Sequence, residues 1–525
     1  MTMLEGRARL GPAAWLKTAS VAAAMTMALA TSAWAQGTFR FAMTDEPPHL
    51  DVQVTTATLT TLVDMHILET LYTFNSKLEP VPLLAESETV SDDGKTVVIK
   101  LREGVPFHNG KEMTAEDVVA SLDRWGQYGG RGKVLYDHIQ SVEATGDHEV
   151  TITFKDVFGP WKNLLAFNNG GPAIMPAEIV GQATAEPLAP EQIIGTGPFS
   201  FSEWRPNRYI EVVKFEDYAQ PPGAPDGYAG PKDVTLDAIQ FIAVPDVGTR
   251  VSGVQAGDYD YAELIPGDLY EELSSDDTVV TIRAGIPEYP LVFFNSSDGI
   301  FKDNYALRRA VMAAFNNADA LRIAVGPEEL WDAQGALYRE GQFWYNDAGI
   351  DSYPSGDLEQ AKKLADEAGY NGEPIRFMVS SSYPLHHDTG VVFAQEMRDA
   401  GFNVDLQIYD WPTLVNRRAE PGLWDMFETT HGAMPDPILY TFMNDNYPGW
   451  WTSPEKEELE AKFTGSTDPE ERKQTWADIQ KLMYEQVPII KVGDVFTFDI
   501  VSPRIEGLPE QQTMFWPVFW NAHKS

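Results

Sequence analysis

The sequence predicts an α/β protein of about three domains, and three observations carry that reading. The chain has 525 residues, and domains average roughly 150. Residues 374–409 alternate strand, helix and strand, the order that builds a parallel sheet with helices on its faces. The first half repeats short strands broken by Gly, Pro and Asp turns. A hydrophobic content of 43%, with 11% aromatic residues, supplies large cores and excludes a disordered acidic tail.

The elements follow in order. Thr38 to Met43 alternates as a strand and Pro47-Pro48 ends it. Residues 58–71 have helical spacing, with Leu59, Leu62, Val63 and Ile67 apolar. Ser91 to Gly94 holds the Asp-Gly pair of a hairpin turn, and Thr96 to Leu101 is the strand after it. Thr114 is placed to cap a helix through Trp125, with Glu116 and Asp117 in the first turn. Strands recur at 149–154, 210–215 and 236–244, and Pro and Gly mark 219–231 as a loop. Beyond it, helices are expected at 305–316 and at 357–368, where Gly369 is the stop. A strand at 374–380, a helix at 389–400 and a strand at 404–409 complete the βαβ unit. A long helix starts at Thr467-Asp-Pro469 and ends before Pro488.

Composition narrows the function. There are 39 Lys and Arg against 78 Asp and Glu, a formal charge of −39. Nucleic acids and anionic membranes select basic surfaces, so neither is an expected partner. The absence of cysteine removes disulfides, thiolate nucleophiles, Cys-based zinc sites and iron–sulfur clusters. It also removes the residue that a bacterial lipoprotein lipidates. Residues 1–35 have the order of a cleavable secretory signal: Arg7, Arg9 and Lys17, an apolar run from Val21 to Ala30, then Ala33-Trp34-Ala35. The run is about half the ~20 residues a membrane span needs. Arg7 and Arg9 are not adjacent, which argues against a twin-arginine signal. The expectation is an exported protein, free in the periplasm and not lipid-anchored.

Catalytic motifs are mostly absent. There is no H-E-x-x-H, G-x-S-x-G or EF-hand loop. Gly94-Lys95-Thr96 lacks the preceding glycine of a phosphate loop, and Gly195-Thr-Gly197 lacks the later one of a dinucleotide loop; both are read as turns. His386 and His387 are adjacent and are assigned to a solvated loop. Binding in an aromatic-lined cleft between domains remains the natural function.

From Lys100 to Val118 the sequence is specific. KLREGVPFHNGKEMTAEDV resembles the signature of family 5 extracellular solute-binding proteins, the dipeptide, oligopeptide and nickel-binding components of ABC importers. Further matches come in order: Ala173 to Pro176, Ile194 to Phe199 with Glu203-Trp204, Arg250 with Gln255-Ala-Gly257 and Asp260, and Phe294-Asn295 with Leu307 to Ala310. The resemblance implies a three-domain periplasmic-binding-protein fold, with two lobes on a hinge and an extra domain. Domain I would be discontinuous (36–77, 177–290 and 488–525), domain II would cover 78–176, and domain III 291–487. A monomer would close on a small-molecule or peptide ligand and deliver it to permease subunits in the inner membrane, with no cofactor.

The resemblance also implies a site. Tyr409-Asp410-Trp411 is similar to a Tyr-Glu-Trp segment that lines the pocket of dipeptide binders. Thr430 to Pro437 is similar to the segment that supplies an aspartate for the peptide ammonium; anchored on Pro437, that position holds Ala433, and the remaining acid is Asp436. The arginine that meets a dipeptide carboxylate aligns near Ser380, within Ser380 to Tyr383. The implied ligand set is Trp411, Asp410, His431, Gly432, Ala433, Asp436, Ser380, Ser382, Tyr383 and Asn295, with no metal. Burying either end charge of a dipeptide unpaired is costly, so the expected ligand is a modified peptide, a glycoside or another small polar molecule. Two alternatives stay open: nickel or metal-chelate binding through His431, His386 and His387, and an exported glycoside hydrolase using paired acids.

Overall fold

The structure, a computed structural model, describes residues 37–509, 511, 512 and 514–525. The leader expected over residues 1–35 lies outside the described residues.

Two large sheets and a smaller one organise the chain. The first has eight strands, in the order Gln511–Gln512, Val280–Ala284, Phe498–Val501, Tyr261–Ile265, Thr38–Met43, Ala238–Ala243, Tyr209–Lys214 and Phe199–Arg205. The second runs Trp331–Asp332, Asp494–Val495, Glu288–Phe294, Met426–Gly432, Ile375–Ser380 and Val404–Tyr409, with Ile489–Lys491 also on Glu288–Phe294. The third, the extra domain, is the antiparallel set Ala85–Val90, Thr96–Leu101, Glu149–Phe154 and Ile139–Gly146. The architecture is mixed α/β in two lobes, as the sequence predicts.

Local chemistry explains the elements. Thr96–Leu101 and Glu149–Phe154 alternate inward and outward side chains, the period of a half-buried strand. Gly94 closes the turn before them at φ +70°, donating its N–H to the Ser91 carbonyl at 2.8 Å. Helix Ala115–Tyr128 opens with a capping box in which Asp117 accepts the Thr114 N–H at 2.9 Å. Ile375–Ser380 and Val404–Tyr409 pair in parallel, as the βαβ reading requires.

Two expectations change. The helix expected over 58–71 is Thr58–Asp64. The chain after it is drawn into the turn at Gly195 to Phe199, where Gly197 and Phe199 donate N–H groups to the carbonyls of Ile67 and His66 at 2.9 and 3.0 Å. His386 and His387 are in a helix rather than a loop. That helix is Pro384–Asp399 and starts five residues before the expected position, because Pro384 suits a first turn that needs no N–H.

The first lobe and the extra domain share one apolar core, from Phe39 and Phe41 through Val97, Trp125 and Trp161. The second lobe has its own, centred on Phe293, Phe377, Phe427 and Trp476. The chain crosses between the large sheets at 285–287 and at 496–497, and Ala284 donates its N–H to Thr497 across the two crossings at 2.9 Å. These points stand a few residues from the expected borders at 290 and 488, because Glu288–Phe294 and Ile489–Lys491 pair within the second sheet.

Register places the carboxyl ends of the parallel strands of both sheets beside these crossings. In the first lobe, Ile265 pairs with Phe498 just past a crossing, and Thr38–Met43 runs parallel to Tyr261–Ile265. In the second, Gly432 pairs with Glu288, the first residue after the other crossing, and Ile375–Ser380 is parallel to Met426–Gly432.

Candidate functional site

Open α/β sheets bind ligands outside the carboxyl ends of their strands. Here those ends belong to two lobes. The second lobe contributes the residues after Ser380, Tyr409 and Gly432, and the first lobe those after Met43, Ala243 and Ile265.

Trp411 stands on the second-lobe rim as the first residue of helix Trp411–Arg418. Asp410 caps that helix, accepting the Thr413 N–H at 3.0 Å and its hydroxyl at 2.9 Å. These bonds hold the Asp410 carboxyl below its ordinary value. The serines brace the same corner: Trp411 donates its N–H to Ser382 Oγ at 3.0 Å, and Ser382 donates its N–H to the buried Ser380 Oγ at 3.2 Å. Tyr383, His386 and Trp411 then form a triangle of rings with centroids 5.0, 5.5 and 5.6 Å apart. Tyr383 is 46% exposed and offers the open face.

Arg418 returns beneath this cluster. It lies seven residues after Trp411, hence on the same helical face. Its guanidinium sits over the rings of Trp411, Phe427 and Tyr447 at 5.4, 5.6 and 5.3 Å. It forms no ion pair with a carboxylate among the described residues, and Nη1 is buried without a hydrogen-bond partner. His431 is beside it, with Nδ1 2.8 Å from the Thr441 hydroxyl and Nε2 3.3 Å from that of Tyr447. Burial, with the Arg418 charge nearby, lowers the His431 pKa to about 4. Burial alone does the same for His386, whose Nε2 is 2.7 Å from Thr430 Oγ1. Both rings are therefore neutral near pH 7, and Arg418 is the fixed positive charge of this corner.

The remaining expected residues separate. Gly432 is exposed, with open space at its Cα, and Ala433 is buried beside it. Asp436 is fully buried. Arg472 Nη2 donates to its Oδ2 at 2.7 Å, Asn163 Nδ2 of the extra domain at 2.6 Å, and Oδ1 accepts the Ile438 N–H. Its carboxylate is engaged behind the rim and does not face the cleft. Asn295 follows the far end of Glu288–Phe294, roughly 20 Å from the crossing at ~3.3 Å per residue. Its amide is used by the carbonyls of Pro421 and Trp424 and by the N–H groups of Ser297 and Asp298. The structure thus assigns Asn295 to a strand terminus away from the cleft.

The first-lobe rim contains a strained residue. Leu264 has φ +50° and is 46% exposed, a combination a branched hydrophobic side chain adopts only under constraint. The constraint comes from below: Asp499 accepts its N–H at 2.7 Å, and Arg250 donates to its carbonyl at 3.3 Å. Next to it, buried Glu263 accepts both the N–H and the hydroxyl of Thr44, at 2.8 and 3.1 Å. Burial raises Glu263 to about 7 and Asp499 to about 6.

Sequence reasoning missed Arg418 and Leu264, and offered His386 only as a metal ligand or a loop residue. The i to i+7 spacing from Trp411 was a usable signal for Arg418; Leu264 depends on tertiary contacts. No group of three His, Cys, Asp or Glu side chains among the described residues could hold a metal ion. No helix among them is long and apolar enough to cross a membrane.

Comparison with known proteins identifies the family. The profile of bacterial extracellular solute-binding proteins, family 5 Middle, matches residues 79–453. A probable peptide ABC transporter periplasmic-binding protein, y4tO of Sinorhizobium fredii, is 29% identical over 494 residues, covering 90% of this chain and 91% of that protein. The glutathione-binding protein GsiB of Escherichia coli K12 is 25% identical over 483 residues, covering 87% and 88%. Among solved structures, AgaA from A. tumefaciens R10 in complex with agropinic acid superposes with a TM-score of 0.72 at 23% identity, over 93% of this chain and 99% of that one. With an identity this low, that superposition shows the fold alone. The matched family and the two-lobed fold together place this chain among the bacterial extracellular solute-binding proteins of family 5, which bind solutes and are not enzymes.

Proposed function

We propose that this chain is exported to the periplasm, captures a small polar solute between its two lobes as a monomer, and hands it to the permease subunits of an ABC importer. The solute bears a carboxylate or similar acceptor, has a flat or apolar body, and needs no ammonium receptor. One observation carries this reading: Arg418 is set among aromatic rings with no carboxylate partner among the described residues. The resemblance of the Thr430 to Pro437 segment, which puts Ala433 where an ammonium-binding acid would stand, supports it. A half-buried guanidinium without a counter-ion is a receptor for one. Trp411 and Tyr383 supply the stacking surface. The agropinic acid held by one structural neighbour is an acid of this kind. Closure follows because such a solute touches both rims only when the lobes meet, which shifts the population toward the closed form.

The test is mass spectrometry of small molecules released on denaturing the periplasmic protein, followed by calorimetry with those found. An acidic solute whose affinity falls at least about tenfold in Arg418→Met supports the reading. Tight binding of simple zwitterionic dipeptides, unchanged in that variant, sinks it.

A further inference from the structure

We infer that the cavity between the extra domain and the second lobe is a second small-molecule site, for a compact aromatic solute carrying an amine or comparable hydrogen-bond donor. The cavity measures about 320 Å³, at the lower end of the roughly 300–1,000 Å³ typical of ligand pockets. Its walls come from both bodies: Glu88, Trp161 and Lys162 on one side, and Phe343, Trp344 and Arg472 on the other. Two backbone bonds run beside it: Gly159 N–H of the extra domain to the Thr464 carbonyl at 2.7 Å, and Phe343 N–H to the carbonyl of Lys77, just before that domain, at 3.0 Å. The space opens to solvent and is walled by aromatic and polar side chains, the usual make-up of a small-molecule cleft.

The aromatic walls favour a ring. Phe343 and Trp344 meet edge to face with centroids 4.8 Å apart, and Trp161 packs against Tyr72 at 5.8 Å. Charge sets the polarity. Lys162 is paired with Glu88 at 2.5 Å, and Arg472 with Asp436 at 2.7 Å, so neither cation is free to receive an anion. Glu79, also on the wall, has no cationic partner among the described residues; it accepts only the Asn75 amide at 2.7 Å. Asn163 on the same wall donates its amide nitrogen to Asp436, and because a carboxylate only accepts, its Oδ1 must point the other way. That oxygen is buried without a partner. The Glu79 carboxylate, without a cationic partner among the described residues, selects a donor over an anion.

The probe is tryptamine, with indole-3-acetate as its acidic counterpart, titrated into the purified protein by calorimetry. The expected result is one tryptamine per chain and at least about tenfold weaker binding of indole-3-acetate. Val90 lies on the cavity wall and is 36% exposed, so Val90→Trp fills the space from the surface; it should abolish tryptamine binding with the thermal midpoint unchanged. Trp411→Ala should leave tryptamine binding intact, which separates this site from the cleft. No binding at millimolar tryptamine, equal binding of the acid, full binding in Val90→Trp, or loss in Trp411→Ala would each overturn the assignment. If Val90→Trp does not fold, Glu79→Gln replaces it: tryptamine binding should weaken about tenfold, and an unchanged affinity counts against the site.

Discussion

Replacing Asp436 with alanine should destabilise the protein strongly and leave solute affinity nearly unchanged. The side chain is fully buried and Arg472, at 7% exposure, is its ionic partner. The substitution leaves the Arg472 guanidinium buried and uncompensated, although its Nε still bonds to the Phe463 carbonyl at 3.2 Å. It also removes the acceptor for Asn163, a side-chain tie between the extra domain and the second lobe. Breaking a buried pair by removing one partner costs about 3–5 kcal/mol, and the unmet amide adds about 1 kcal/mol. Urea unfolding should therefore give a loss of about 4–6 kcal/mol for Asp436→Ala. Asp436→Leu combined with Arg472→Met should recover most of it, since an apolar pair of similar size removes both burial costs. Calorimetry with the natural solute should differ from the wild type by less than about threefold, or ~0.7 kcal/mol. A stability loss below about 1 kcal/mol together with lost solute binding would refute the argument and make Asp436 a ligand residue.

Trp411→Ala should weaken solute binding by about 2 kcal/mol, the cost of truncating a central aromatic anchor, with little change in the urea midpoint; an unchanged affinity would place the solute elsewhere. Leu264→Asn should stabilise the protein by up to about 1 kcal/mol, since asparagine tolerates the left-handed region, as a thermal shift would register. Two opposed sets of groups shape the pH dependence of stability. Glu263 and Glu396 are raised to about 7 and Asp499 to about 6; the native state binds these protons more tightly, so their contribution is lost progressively from the ordinary carboxyl range up through pH 6–7. His66, His108, His386 and His431 are lowered to about 4 from 6.5; the unfolded state binds these protons more tightly, so stability falls as pH drops from 6.5 toward 4. Thermal midpoints from pH 4 to 8 test this, and Glu263→Gln should flatten the alkaline limb; the same slope in that variant would contradict the assignment.

The strand order and the Trp411 segment pointed to the rim at the carboxyl ends of the second sheet, because strand ends and helix starts are local. The partners of the residues there were not legible. Asp436 and Asn295 looked alike in sequence as polar residues next to matched motifs. The structure separates them from the rim through partners far along the chain: Asn163 for Asp436, and the carbonyls of Pro421 and Trp424 for Asn295. The His386-His387 pair looked like a loop because two adjacent polar residues interrupt the apolar spacing; the helix persists because His386 turns inward against Thr430.

By itself the sequence determined the α/β class, the βαβ unit, the turn at Gly94 and the family, since periodicity, caps and motifs act over a few residues. Sheets and apolar clusters do not correspond one to one: the largest cluster spans the first lobe and the extra domain, while the first lobe keeps a separate one around Ala262 and Phe498. Only the tertiary structure decided that the extra domain shares its core with the first lobe, and that Arg418 forms no ion pair with a carboxylate among the described residues. Which charges end up paired depends on contacts between residues tens to hundreds of positions apart, and no local pattern encodes those distances.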